Sequence, residues 1–278
     1  MIHHLDITAS TNDDARDEKY REGDVVWADF QTAGRGQRGH EWHSRKGENL
    51  TFSLVLEPTF MPIAEQFSVS EVVALSLVDM LLDYGIEARV KWTNDIYVGD
   101  RKLVGILIEH SLAPTTLRRT IVGVGINVNQ REFDPSIPNP VSMAQLLDRE
   151  LDAESVLRCF LKHLQRNYEV LREMQNAKCR MQNAEPTLRS ESRGQTCLRY
   201  AEPRGGKACG AGLKQNVLHD RYNSLLYRLN EYHTYALPSG ERFRAKIVGT
   251  APNGALCLED EQGKIKDYLF KEVEFVIF

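Results

Sequence analysis

Apolar residues change their spacing several times along this chain, and each change marks an element. Phe67, Val72, Leu75, Val78, Met80, Leu81 and Leu82 recur at helical intervals and predict a helix over 64–84, stopped by Gly85. Val156, Leu157, Phe160, Leu161, Leu164, Tyr168 and Leu171 predict a longer one over 153–174. Runs rich in β-branched and aromatic residues predict strands at 25–30, 50–56, 88–92 and 120–128. Two hairpin arms, 96–98 and 103–110, flank the turn pair Gly99-Asp100. Ser10 or Thr11, with Asp13 or Asp14 three positions on, has capping-box spacing and predicts a helix over 12–20; Ser142 with Gln145 marks another short one.

From 175 to 215 the pattern dissolves. Large apolar side chains are few, and Met-Gln-Asn-Ala occurs twice, at 174–177 and 181–184. Such a composition buries too little surface to offset its ordering entropy, so the stretch is predicted to be a largely disordered insert. A helix is predicted again at 217–232. Strands follow near 242–249, 254–260 and 264–277, separated by Pro252-Asn253-Gly254 and Glu261-Gln262-Gly263. Closely spaced short strands predict a small β-barrel. The expectation is an α+β chain in two units: a mixed sheet with flanking helices over 1–233, then a β domain over 234–278.

Composition narrows the function. With 42% hydrophobic residues the chain can fill an ordinary core. A net charge of −4 argues against generic nucleic-acid binding, which rests on basic patches. Five cysteines (159, 179, 197, 209 and 257) lack paired metal spacing, which points to a reduced, cytoplasmic setting. The first residues do not read as a signal peptide, and no apolar run approaches a membrane span.

Chemistry concentrates in Gln31-Thr32-Ala33-Gly34-Arg35-Gly36-Gln37-Arg38-Gly39, directly after the strand-like Val25–Phe30. Glycine leaves room for a ligand beside the main chain, and arginine adds forked donors suited to carboxylate or phosphate. The G-x-G-x-x-G spelling suggests a dinucleotide fold, but that fingerprint needs a helix immediately downstream. Here Leu50–Leu56, a run of strand formers, comes next, so the unit reads as strand–loop–strand. A clamp for a small anion and a plain hairpin with solvated arginines both fit this segment alone. The second segment is Lys91-Trp92-Thr93-Asn94-Asp95, followed by Arg101-Lys102-Leu103-Val104-Gly105-Ile106-Leu107-Ile108-Glu109. Hairpin geometry brings Asp95 and Lys102 to one end of a sheet, either as an anion site or as an ordinary surface pair.

Five blocks taken together resemble the biotin protein ligases. They are Ser10-Thr11-Asn12, Gln31 through Gly39, Lys91-Trp92-x-Asn94-Asp95, Arg101-Lys102-Leu103-x-Gly105-Ile106-Leu107, and Gly123-x-Gly125-Ile126-Asn127, with Trp42 between. The resemblance covers roughly 1–174 and 217–278. It implies a class II synthetase-like catalytic sheet with a C-terminal SH3-like barrel. It implies biotin contacts from Ser10, Thr11, Gln31, Gly34, Arg35, Lys102 and Gly105. Contacts to ATP or the adenylate are implied for Arg35, Gln37, Arg38, Trp42, Asn94, Lys102 and Asn127. Lys102, Asp95 and Arg35 are the implied catalytic residues. Ser10 and Thr11 also read as a helix cap, Trp42 as core, and Asn127 as a buried amide satisfied by backbone.

The implied reaction makes biotinyl-5′-AMP from biotin and ATP, with Mg²⁺ on the nucleotide phosphates and Asp95 a second candidate to hold it. The biotinyl group then passes to a lysine of a biotin carboxyl carrier protein. Gln37 stands where many members have arginine, and His40 likewise. The matching block begins at residue 5, so the expected type lacks the N-terminal DNA-binding domain of some members. Nucleic acid and membrane are not expected partners; a homodimer through an exposed sheet edge is compatible. A lipoate or octanoate ligase and a non-catalytic biotin binder are the alternatives.

Overall fold

The computed structural model describes residues 1–39, 41–184 and 216–276, with the backbone alone at 38 and 182–184. Its main sheet contains every strand predicted between 25 and 126, plus one the pattern did not announce. These are β1 (Ile2–Thr8), β2 (Val25–Gln31), β3 (Leu50–Leu56), β4 (Arg89–Lys91), β5 (Asp95–Val98), β6 (Arg101–Leu112) and β7 (Leu117–Ile126). They lie in the order β1-β2-β3-β7-β6-β5-β4, with β1 parallel to β2 and the other neighbours antiparallel, so the sheet is mixed. The unannounced β1, Ile-His-His-Leu-Asp-Ile-Thr, is a mostly polar edge strand with no buried side chain, which is why hydropathy missed it.

Alternation along β3 sorts the two faces. Leu50, Phe52, Leu54 and Leu56 join the large core with α2 (Phe67–Asp83) and α4 (Ala153–Ala184), where Phe52 meets Phe160. Ser53, on the opposite face, hydrogen-bonds Thr11 and Asn12 of α1 (Thr11–Asp14). One face of the sheet is therefore covered by helices, and the other carries polar groups. The remaining helices are α3 (Met143–Leu147), with its predicted Ser142–Gln145 capping box, and α5 (Val217–Ser224). Among the described residues no helix is long and apolar enough to cross a membrane.

Three predicted segments are corrected. The helix expected over 12–20 closes after one turn, and Ser10 makes no side-chain cap. Arg119 collects the carbonyls of Ala15, Asp17 and Tyr20 instead, which satisfies the chain without further helix. The helix expected over 153–174 continues to Ala184, so 175–184 is not a disordered insert. Gln175 is buried, and it and Lys178 converge on Glu65 at 2.5 and 2.6 Å, an anchor that local composition did not reveal. The rest of that insert, 185–215, lies outside the described residues. The helix expected over 217–232 ends at Ser224, because the next residues pair with the edge strand: Val90 N–H donates to Leu225, and Tyr227 N–H to Val90.

The C-terminal unit comprises β8 (Tyr232–Ala236), β9 (Arg242–Thr250), β10 (Leu256–Asp260), β11 (Ile265–Tyr268) and β12 (Glu274–Phe275). Its antiparallel order is β11-β10-β9-β8-β12; the sequence pattern does not announce β8, the strand expected over 264–277 splits into β11 and β12, and the pairing stops short of closing a barrel. It is joined firmly to the main sheet. The Trp92 indole N–H donates to Gly254 O at 2.9 Å. Gly254 itself has φ +87°, and a Cβ there would stand 2.4 Å from the Phe67 ring. Asn223 Oδ1 accepts from the N–H and hydroxyl of Thr250.

Beside this joint, His219 Nδ1 lies 2.6 Å from the buried Glu71 carboxylate, which holds the imidazole above its ordinary pKa against the opposing effect of burial. A raised folded-state pKa gives stability that is full below about pH 6.5 and is lost as pH rises through the raised value. Glu71→Gln should therefore cost ~1–3 kcal/mol of stability near pH 6. That difference should shrink by about pH 8, as urea unfolding at the two pH values would read.

Candidate functional site

A cavity of about 370 Å³ opens on the polar face of the main sheet. Its floor is made of glycine. Gly105 and Gly125 are register partners on β6 and β7, and the Trp42 indole sits directly on them. A Cβ would stand 2.3 Å from that ring at Gly125 and 2.9 Å at Gly105. Two positions along β7, a Cβ at Gly123 would stand 2.1 Å from Asn12 Oδ1. Side chains at these three places would fill the space that the aromatic ring and the amide now occupy.

One end of the cavity is polar and uncharged. Ser10 and Thr11 are buried there, and Gln31 Oε1 accepts from the Thr11 N–H at 2.8 Å and hydroxyl at 3.1 Å. Gln31 stands at the end of β2, where its strand meets the Arg-Gly loop. That loop turns back at once: Trp42 N–H donates to Gly34 O, and Arg35 bridges Glu41. No α-helix follows, which confirms the strand–loop–strand reading. Gly34 lies behind the cavity wall, where a Cβ would meet the Trp42 carbonyl at 2.6 Å.

The other end is ionic. Asp95 lies between two ammonium groups, Lys102 at 2.8 Å and Lys91 at 3.8 Å. Burial pushes the Lys91 pKa below its ordinary value; Asp95 pulls the other way. Lys102 Nζ is also 5.9 Å from the Trp42 ring centroid, within cation–π range. Arg35 reaches Asp13 at 2.7 Å and Glu109 at 3.3 Å. Glu109 in turn holds Arg16 and Asn12. Asn94 fixes the loop end by exchanging hydrogen bonds with the Ile106 backbone, its amide donating at 2.9 Å.

Of the residues expected at the site, Ser10, Thr11, Gln31, Arg35, Gln37, Trp42, Asn94, Asp95, Lys102 and Gly105 line this one cavity. Gln37 also borders a neighbouring 230 Å³ hollow with His110 and Phe67. Asn127 does not line the cavity. Its amide donates to Val141 O at 3.1 Å and lies 3.5 Å from Lys102 O, so it supports the backbone that presents Lys102. The Arg38 side chain and all of His40 lie outside the described residues. Asp95 is also a poor metal ligand here: both its oxygens already face ammonium groups, which a cation would have to displace.

Sequence reasoning did not single out Asn12, Lys91 and Glu109 as site residues. All three stood inside the quoted segments, Glu109 as the last residue of the one that begins at Arg101. It also missed the far wall, where Phe270, Val273 and Phe275 of the C-terminal unit border the cavity. Nothing local in that segment signals a ligand.

Residues 4–127 match the biotin/lipoate A/B protein ligase family. The bifunctional ligase/repressor BirA of Bacillus subtilis is 34% identical over 172 residues, 58% of this chain and 53% of that protein. The biotin–[acetyl-CoA-carboxylase] ligase of Paracoccus denitrificans is 36% identical over 139 residues, 48% of this chain and 57% of that one. The chain thus spans about half the length of the curated relatives it matches. Among solved structures, the biotin protein ligase from Aquifex aeolicus in complex with biotin and ATP superposes with a TM-score of 0.72 at 24% identity, over 99% of both chains. Residues 4–127 therefore resemble the biotin/lipoate A/B protein ligase family, within a chain that shares the fold of the Aquifex aeolicus biotin protein ligase.

Proposed function

We propose that this chain is a biotin–protein ligase, which activates biotin with ATP as biotinyl-5′-AMP and transfers it to a lysine of a biotin carboxyl carrier domain. One observation carries the reading: Arg35, Lys91 and Lys102, from separate loops and strands, face a single cavity with an uncharged polar end. The names of the relatives, biotin–[acetyl-CoA-carboxylase] ligase among them, support it.

In the first step a carboxylate oxygen of biotin attacks the α-phosphorus, and the bond to pyrophosphate breaks. Two anions must approach, so preorganised positive charge lowers the barrier. Lys102, Lys91 and Arg35, all lining the cavity, supply it. Trp42 on its glycine floor offers a flat apolar surface for a purine. Mg²⁺ enters with the triphosphate as part of the substrate. In the second step a carrier lysine attacks the acyl carbon and AMP departs. That amine, with an ordinary pKa of ~10.4, must lose a proton; Asp95 is the carboxylate placed to orient it. Ordering of the Arg-Gly loop over the adenylate would limit water, which otherwise hydrolyses the mixed anhydride.

Ser10, Thr11 and Gln31 suit a urea group, which needs neutral donors and acceptors together. That polarity favours biotin over lipoate or octanoate, whose far ends need none. Pyrophosphate exchange with each acid in turn, followed by transfer of labelled biotin to a carrier domain, tests the proposal. Exchange that depends on octanoate or lipoate, but not on biotin, would overturn it.

Three outcomes are expected. Lys102→Ala should cut biotinyl-AMP formation at least about tenfold, with little change in unfolding midpoint. Gly125→Ala should displace the Trp42 ring and raise the KM for ATP about tenfold or more, since small misplacements are costly in such sites. Gln37→Arg should add a charge beside the adenylate and slow its release, measured by chasing preformed labelled intermediate with unlabelled biotin.

A further inference from the structure

A second cluster of chemically capable side chains lies away from the cavity and shares no residue with it. Asp83 is the last residue of α2, while Cys159 and His163 stand four apart on one face of α4. Asp83 Oδ2 is 2.8 Å from His163 Nε2 and 3.5 Å from Cys159 Sγ. All three ligand atoms lie within 4.8 Å of one another. We propose that Asp83, Cys159 and His163 form a surface site for a thiophilic divalent cation, zinc foremost, with water completing the shell.

The donor set is the first argument. One sulfur, one imidazole nitrogen and one carboxylate oxygen suit Zn²⁺ and disfavour Mg²⁺ or Ca²⁺, which demand oxygen. Geometry is the second. Zinc sits about 2.3 Å from sulfur and about 2.0–2.1 Å from nitrogen, so tetrahedral ligand atoms stand roughly 3.3–3.7 Å apart. The three atoms already bracket that spacing, and sub-ångström side-chain shifts would meet it. Placement is the third. A carboxylate at the end of a helix faces the negative pole of the backbone dipole, an unfavourable position unless a cation joins it. A bound ion would supply that charge, and the Cys159 thiol proton would leave to solvent as the metal–sulfur bond forms. His163 is largely shielded while Asp83 is half exposed, which gives one protected ligand and an open approach. Bound there, the ion would clamp the end of α2 to α4, the helix that backs the main sheet.

The test uses the whole chain with Co²⁺ as the spectroscopic stand-in. Wild type should show thiolate-to-cobalt charge-transfer absorption saturating at one equivalent and abolished by competing Zn²⁺. Cys159→Ser should remove that band, and His163→Ala and Asp83→Asn should each weaken binding at least about tenfold. Unfolding midpoints without metal should stay close to wild type for all three. Added Zn²⁺ at a hundredfold excess over its Kd should raise the wild-type midpoint by roughly 5 °C and leave Cys159→Ser unmoved. No charge-transfer band in the wild type, or an equal one in Cys159→Ser from the other cysteines, overturns the site. Neither result touches the ligase reading.

Discussion

A carboxylate held between two ammonium groups is the interaction on which the rest of this cavity depends. Lys91 is largely buried and Lys102 about one-third exposed, and unopposed positive charge in so enclosed a place would be driven towards neutrality. Asp95 opposes the effect of burial on Lys91 and contacts both ammonium groups with its two oxygens, yet leaves this cluster of two cations and one anion with a net positive charge. Arg35 is balanced differently: Asp13 and Glu109 share it with Arg16, two carboxylates against two guanidinium groups. The excess positive charge therefore lies at the lysine pair, which shares a single carboxylate. The backbone makes this possible because β5 and β6 form one hairpin, so their register decides the distance between Asp95 and Lys102.

The same sheet shows how a polar cavity can share strands with a packed core. On β3 the even-numbered residues are large and apolar and face the helices, while Thr51 and Ser53 face the other way. On β7 glycine occupies the corresponding cavity-side positions 123 and 125, and Val122, Val124 and Ile126 join the core. A single period-two pattern therefore writes the fold on one side and the site on the other.

Much of this was legible in the residues. The central strands and α2 carry strong periodic signals because their burial is dense, and the Arg-Gly loop and the Lys91–Lys102 hairpin carry rare residue types at fixed spacing. What failed to show has a common cause, dependence on distant partners. Gln175 and Lys178 read as polar filler, but Glu65 makes them an anchor. Residues 225–227 read as helix, but an open strand edge at Val90 claims their hydrogen bonds. Asn127 sits in a ligand-like motif, but its amide is consumed by the backbone beneath Lys102. Phe270 and Phe275 carry no local sign at all of the wall they form.

That wall has a consequence for biosynthesis. Residues 270–275 close a cavity whose other parts come from the first half of the chain. A chain leaving the ribosome N-terminus first presents Trp42 and the lysines before residues 270–275 have been added. Its pocket still lacks a side until those last strands emerge and dock through Gly254 and Trp92. The enclosure therefore waits on residues 270–275, which are synthesised after every other lining residue.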